Sequence, residues 1–195
     1  MAVQGLGNVG SNLVRYLSEE GAKMTVADID ADKTQKIADQ YNCQTSTPDG
    51  ISEVACDIFS PNALGAGIND QTIPKLQCKV VAGGANNQLA ETRHGNALRE
   101  MGILYAPDFV GNAGGLMNVF AELEGYSVER ALERTTSVFD NMLKVFEVSK
   151  RDDISTHDAA HTMAMERLEG LGRLKRKHLG ETSRPFTTLK EVYNR

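Results

Sequence analysis

The stretch AVQGLGNVG, residues 2–10, decides the fold. A short apolar run enters a Gly-x-Gly-x-x-Gly turn, and an amphipathic segment follows at once. The three glycines have separate tasks. Gly5 permits a tight turn after a strand, Gly7 lets a phosphate approach the backbone, and Gly10 allows a helix to pack close on a sheet. The helix opening at Asn8 then aims its free N–H groups and positive end at that phosphate. A glycine pattern alone is a weak signal, so the residues around it carry the decision.

Working outward, residues 2–4 read as the end of a strand. Residues 8–20 read as a helix with Val9, Leu13, Val14 and Leu17 on its apolar stripe, closed by Gly21. Residues 24–27 form a short apolar strand that ends in Asp28. An acid at that distance accepts hydrogen bonds from adenosine ribose hydroxyls and repels a 2′-phosphate, so it points to NAD over NADP, with Lys33 as the opposing charge nearby. Asp30 is the poorer candidate because it does not directly end the strand. Residues 32–41 predict a second, more polar helix, and residues 54–59, 79–82 and 103–105 three further strands. Each of these runs into small or turn-forming residues: Ser60-Pro61-Asn62-Ala63, Gly83-Gly84-Ala85 and Ala106-Pro107. Apolar strands separated by helices predict an α/β fold, a Rossmann-type doubly wound, mostly parallel sheet in three αβα layers.

From Gly114 the texture becomes helical. Helices are expected over 116–123, over 128–148 with Ala131, Thr135, Val138, Met142 and Val145 in near-helical spacing, and over 156–171. The expected organisation is a dinucleotide-binding domain over 1–150 and a helical extension over 151–195 packing on it.

Composition excludes several classes. The 195 residues carry a net charge of −5 with acids and bases interspersed, which leaves no footprint for nucleic acid or a membrane surface. The basic run Arg173, Lys175, Arg176, Lys177, His178 has no interleaved aromatics and reads as a solvated helix end. Cys43, Cys56 and Cys78 form no CxxC or Cys/His group, the pattern of buried thiols in a reducing cytoplasm. No apolar run approaches a membrane span. The four histidines lack metal-ligand spacing; His157 and His161 are four apart but make no HExxH, so no metal is expected. Asp108 reads as a structural acid.

In an open parallel sheet, ligands lie across the carboxyl ends of the strands. Functional weight therefore falls on residues 60–63, 83–87 and 112–115, whose small residues admit a ligand and whose asparagines offer both donors and acceptors.

Taken in order, VQGLGNVG (3–10), GAKMTVADID (21–30), SPNALGAGIND (60–70), KVVAGGANNQL (79–89), RHG (93–95), GILYAPDFVGNAGGLMNV (102–119) and KRDDISTHDAA (150–160) resemble the cofactor domain of the leucine dehydrogenases, a branch of the glutamate/leucine/phenylalanine/valine dehydrogenase family. The resemblance covers residues 1 to about 180. It implies that Gly5, Gly7, Asn8, Val9 and Gly10 form the pyrophosphate loop and that Asp28 is the ribose acid. Ala63 then lies beside the cofactor, Ala82, Gly83, Ala85, Asn86 and Asn87 form the wall near the nicotinamide ribose, and Asn112 faces the carboxamide and reacting centre. Leu116 and Val119 fall where branched-chain members line the substrate pocket. Asn62, Gly84 and Gly111 depart from the usual pattern, in a direction expected to widen that pocket.

The implied reaction is reversible NAD-dependent oxidative deamination of a branched-chain or other apolar L-amino acid to its 2-oxo acid and ammonium. The lysines and aspartate that bind and deprotonate substrate in this family belong to a domain preceding the glycine turn. The expectation is therefore that the chain begins inside its own first strand, that this catalytic domain is absent or a separate chain, and that these residues alone do not turn over substrate. The alternative is a non-catalytic nucleotide-binding and protein-interaction module derived from such an enzyme. A homodimer is also expected, burying the apolar stripes of the helices over 128–148 and 156–171.

Overall fold

The computed structural model describes residues 1–123 and 127–178. Six strands, β1 (Ala2–Gln4), β2 (Thr25–Ala27), β3 (Gln44–Thr45), β4 (Ile58–Pro61), β5 (Val80–Val81) and β6 (Leu104–Tyr105), form one sheet in the order β3-β2-β1-β4-β5-β6. Every pairing is parallel. The chain winds outward from β1 to β3, then returns to the far side of β1 to lay down β4. Strand order reverses between β1 and β4, the place at the carboxyl ends of the strands where an open parallel sheet holds its ligand.

The helices are α1 (Asn8–Glu19), α2 (Ala31–Tyr41), α3 (Arg93–Glu100), the short α4 (Asp108–Gly111), α5 (Gly114–Leu123), α6 (Val128–Asp152) and α7 (Thr156–His178). Side chains alternate across a strand, so neighbouring residues serve opposite faces. Val3 and Val26 join Leu6, Val14, Met24, Ile37 and Ala38 in one apolar cluster. Ala2 and Ala27 join Phe59, Val81, Leu98, Ile103 and Tyr105 in the other. Both faces of the central strands are covered, which is why successive apolar residues such as Ala2-Val3, Val26-Ala27 and Val80-Val81 replace a strict apolar–polar alternation.

Most expected elements start within a residue or two of their expected positions. Helices α6 and α7, however, run on to Asp152 and His178, past the expected ends at 148 and 171, and β3, α3 and α4 were not expected. Two further corrections concern burial and pairing. Val9 does not share the buried stripe of α1; Gly10 and Val14 are buried, Leu13 and Leu17 pack on the core, and Val9 is 58% exposed. The expected strand over 54–59 begins only at Ile58. Before it, residues 51–53 form a 3-10 turn, and Val54 and Cys56 pack on the core from outside any strand. Apolar residues approaching a strand are buried whether or not they join its ladder, so burial alone does not mark where pairing starts.

The thiols are only partly buried and all three are free. Burial raises each of their pKa values, Cys78 up to about 11, where the Cys56 thiol beside it adds to the effect. They are poor nucleophiles at neutral pH.

Residues Met1–Ala160 form one compact unit; of the second, which begins at His161, the described residues 161–178 are a continuous length of α7. Within the first unit α6 packs against α4 and α5. Ser127 caps α6 by accepting the Arg130 N–H, and the helix ends at Asp153 in the left-handed region. Ala131 and Val145 are its buried residues, and Val138 and Met142 are half-buried. The apolar residues left exposed on α6 include Leu132, Phe139 and Leu143. Among the described residues, no helix is long and apolar enough to cross a membrane.

Candidate functional site

The glycine turn leaves β1 and enters α1 with no room to spare on its inner side. Gly5 has φ +87°, and a Cβ there would lie 2.7–2.9 Å from backbone atoms of Asn62 and Ala63. A Cβ on Gly10 would overlap the Gly5 carbonyl. A Cβ on Gly7, by contrast, would meet nothing within 4 Å, so this residue faces open space. The two inner glycines close the turn, and the outer one keeps its approach clear.

Gly7 is also the N-cap of α1, which has neither a side-chain cap nor an acidic residue in its first turn. The contrast with α2 is informative, since there Asp30 accepts the Lys33 N–H and Asp32 follows. Asp30 thus serves as a cap. The N–H groups and positive end of α1 are left for an external anion.

Asp28, just past β2, is tied to the same turn. Its Oδ2 accepts the Leu6 N–H at 2.5 Å and its Oδ1 accepts the Asp30 N–H at 3.0 Å. Partial burial raises its pKa, but hydrogen bonds from Leu6 and Asp30 and the charge of Lys33 outweigh that, and the net shift is downward. Each carboxylate oxygen keeps a second lone pair to accept a hydroxyl. Leu6 was not singled out from sequence, because a backbone donor leaves no signal in residue type.

The turns after β4 and β5 are joined by Asn62. Its Nδ2 donates to the Ser60 carbonyl and Oγ, both at 3.0 Å, and its Oδ1 accepts the Gly84 N–H at 2.8 Å. The space beside Gly84 is already filled. A Cβ there would come within 2.6 Å of Val9 Cγ1 and 3.0 Å of Asn62 Oδ1. Asn62 and Gly84, both expected to depart from the family pattern, thus fit each other, and the exposed Val9 lies against Gly84.

Beyond β5, Gly83 lies against Pro61, Ala82 is half-buried, Ala85 is buried, and Asn86 and Asn87 are exposed, Asn87 with φ +51°. Asn112, at the end of α4, reaches back to this turn. Its Nδ2 donates to Asn86 Oδ1 at 2.6 Å and to the Ala85 carbonyl at 3.4 Å. The structure therefore brings Gly5 to Ala63, Val9 to Gly84, and Asn112 to Ala85 and Asn86. Leu116 and Val119 lie on the next helix, α5, 75% and 57% exposed.

Two other places bear on the choice of site. A cleft of about 750 Å³ opens at the amino ends of the strands, beside Met24, Thr25, Cys43 and Cys56. It is at the wrong end of a parallel sheet for the chemistry gathered above. Asp70, Glu91 and His94 converge within metal-binding reach. Arg93 already bonds both acids, its hydrogen bond holding the Asp70 pKa down. The Glu91 N–H donates to His94 Nδ1, which leaves Nε2 as the protonated nitrogen facing Asp70. The cluster is satisfied by the chain's own groups.

Known proteins resemble this chain over most of its length. The family model described as Glutamate/Leucine/Phenylalanine/Valine dehydrogenase matches residues 23–173. A leucine dehydrogenase of Bacillus cereus is 50% identical over 179 residues, 92% of this chain and 49% of that protein. A phenylalanine dehydrogenase of Thermoactinomyces intermedius is 42% identical over 178 residues, 90% and 49% respectively. The crystal structure of L-tryptophan dehydrogenase from Nostoc punctiforme superposes with a TM-score of 0.85 at 42% identity, covering 88% of this chain and 52% of that one. The chain spans about half the length of the curated relatives it matches.

Proposed function

The chain belongs to the glutamate/leucine/phenylalanine/valine dehydrogenase family, and from that premise we propose that it binds NAD(H) across the carboxyl ends of β1, β2, β4 and β5. The observation that carries this reading is the uncapped start of α1 behind the open face of Gly7, with Asp28 tied to the same turn. The uncapped N–H groups suit a pyrophosphate. Asp28, held ionised, suits a ribose diol and repels a 2′-phosphate, which favours NAD over NADP. Asn112 commits both hydrogens of its amide to Asn86 and Ala85, and its Oδ1 is the acceptor proposed for a carboxamide N–H.

The proposed reaction is oxidative deamination of a branched-chain or other apolar L-amino acid to a 2-oxo acid and ammonium, run reversibly. The cofactor supplies the hydride acceptor, while this chain's residues bind it, orient it and exclude wrong poses. Leu116 and Val119, apolar and exposed just beyond Asn112, are proposed to meet the substrate side chain. The segments 60–63, 83–87 and 107–115 contain no lysine. Residues 1–195 by themselves are accordingly proposed to bind cofactor without turning over leucine, valine or phenylalanine, because proton transfer needs a base within hydrogen-bond reach.

Calorimetric titration with NADH tests the core of this reading. Binding that Asp28→Ala weakens strongly is the expected result. Failure of the wild-type chain to bind saturating NADH would overturn it.

A further inference from the structure

We propose that Gln88 is a positioning residue that orients Asn112 for the cofactor, acting through the turn after β5 and anchored by Asp108 and Tyr105. The proposal rests on the reading of Asn112 as the carboxamide-facing residue. Gln88 is 1% exposed, and its Nε2 donates to the Gly83 carbonyl at 2.7 Å and the Ala85 carbonyl at 3.0 Å. Two carbonyl acceptors settle the amide's orientation, since the flipped amide would aim its oxygen at both. The Gln88 N–H points the other way, to Asp108 Oδ2 at 3.3 Å. Asp108 Oδ1 accepts the Tyr105 hydroxyl at 3.3 Å, and Asp108 and Tyr105 are both buried.

The link to Asn112 is direct. The Ala85 carbonyl accepts from both Gln88 Nε2 and Asn112 Nδ2. The Asn112 N–H donates to the Asp108 carbonyl at 2.8 Å. Gln88 therefore sets the Ala85 carbonyl that aims the Asn112 amide, and Asp108 sets the backbone that carries Asn112. Turns 20 residues apart in sequence are held in one geometry.

Gln88 is also a costly residue for this place. Its Oε1 is buried with no hydrogen-bond partner among the described residues. A methionine would fill the same space with no orphaned acceptor, so core packing alone does not call for glutamine. What only the amide supplies is the pair of donors that aim the Gly83 and Ala85 carbonyls.

The test uses the full chain with Gln88→Met, Asn112→Ala and the double variant. Titration with NADH is expected to show roughly three- to tenfold weaker binding for Gln88→Met, the range of one lost hydrogen bond. In the Asn112→Ala background the same substitution is expected to add nothing. A multiplicative loss in the double variant, or unchanged binding in Gln88→Met, would overturn the proposal. A second readout needs no cofactor: the side-chain amide resonances of Asn112 in a ¹H–¹⁵N spectrum shift in Gln88→Met, whereas a purely structural glutamine lowers Tm and leaves them in place. If Gln88→Met does not fold, Asp108→Asn, close to the native shape, is read in the same two ways. If the wild-type chain binds no NADH, the cofactor reading fails on its own, and the resonances still decide whether Gln88 orients Asn112.

Discussion

At the scale of the residue, Gly7 and Gly10 make a controlled contrast within four residues. Adding a methyl at Gly10 drives it into the Gly5 carbonyl, which is backbone and cannot give way cheaply. Gly10→Ala is expected to cost about 1–3 kcal/mol in urea unfolding, the usual range for overpacking. Gly7→Ala meets no protein atom, so stability is expected to stay within about 0.5 kcal/mol. Its NADH affinity, read by calorimetry, is expected to fall, because the added methyl would occupy the open space proposed for the phosphate. Equal stability losses in both variants would contradict the division of labour drawn for the glycines. Asp28 gives a pH signature. Its folded-state pKa lies below the ordinary value, so its stabilisation is complete above the unfolded pKa of about 3.9 and disappears as pH falls through the folded value. Asp28→Asn is expected to cost about 1.5–3 kcal/mol at neutral pH, as for a charged hydrogen bond. That gap, measured by urea unfolding, holds steady from pH 8 to about 5 and shrinks below about pH 4. A gap that widened on acidification would show the carboxylate to be a burden rather than a support.

At the scale of the element, α6 carries apolar residues on more than one side, and packing chose between them. The face with Ala131, Val138, Met142 and Val145 turns toward α4 and α5. Thr135, expected on that stripe, is exposed, as are Leu132, Phe139 and Leu143. The homodimer expected from sequence therefore needs a different seam from the one the spacing suggested. Val138 and Met142 help pack the unit, and polar substitutions there would report on folding. Leu132, Phe139 and Leu143, at i, i+7 and i+11, form the outward ridge, which a symmetric pairing of two copies would bury. Light scattering over a concentration series is expected to give twice the chain mass, and Phe139→Glu with Leu132→Glu the mass of one folded chain with a Tm that no longer depends on protein concentration. A wild-type mass fixed at one chain would exclude the dimer.

At the scale of the whole molecule, cofactor binding and stability are linked. A ligand at a hundred times its Kd adds about 2.7 kcal/mol, and a chain of this size gains roughly 2–4 °C per kcal/mol. Saturating NADH is expected to raise Tm by about 5–11 °C, and NADPH by much less, because Asp28 opposes a 2′-phosphate. A larger shift with NADPH would reverse the proposed cofactor preference. The cleft at the amino ends of the strands predicts no such linkage, which separates it from the site proposed at their carboxyl ends.

What the sequence by itself determined is the set of features written in local spacing. The bounds of β1, the starts of α1, α6 and α7, and the glycine turn with its acid were all legible, because strand ends, caps and helical periods are set by residues a few positions apart. The loops at the strand ends were legible as places, since small residues and asparagines cluster there. What only the tertiary structure decided is every pairing among the turns at the carboxyl ends of the strands. Val9 was assigned to the core by its period but faces Gly84; Asn62 locks the next turn; Gln88 and Asp108 meet across 20 residues. The two-residue β3 carries little pattern of its own and is a strand because β2 offers it a partner in register. These are contacts between segments that a parallel sheet brings side by side, and no one-dimensional period encodes which neighbours that sheet will choose.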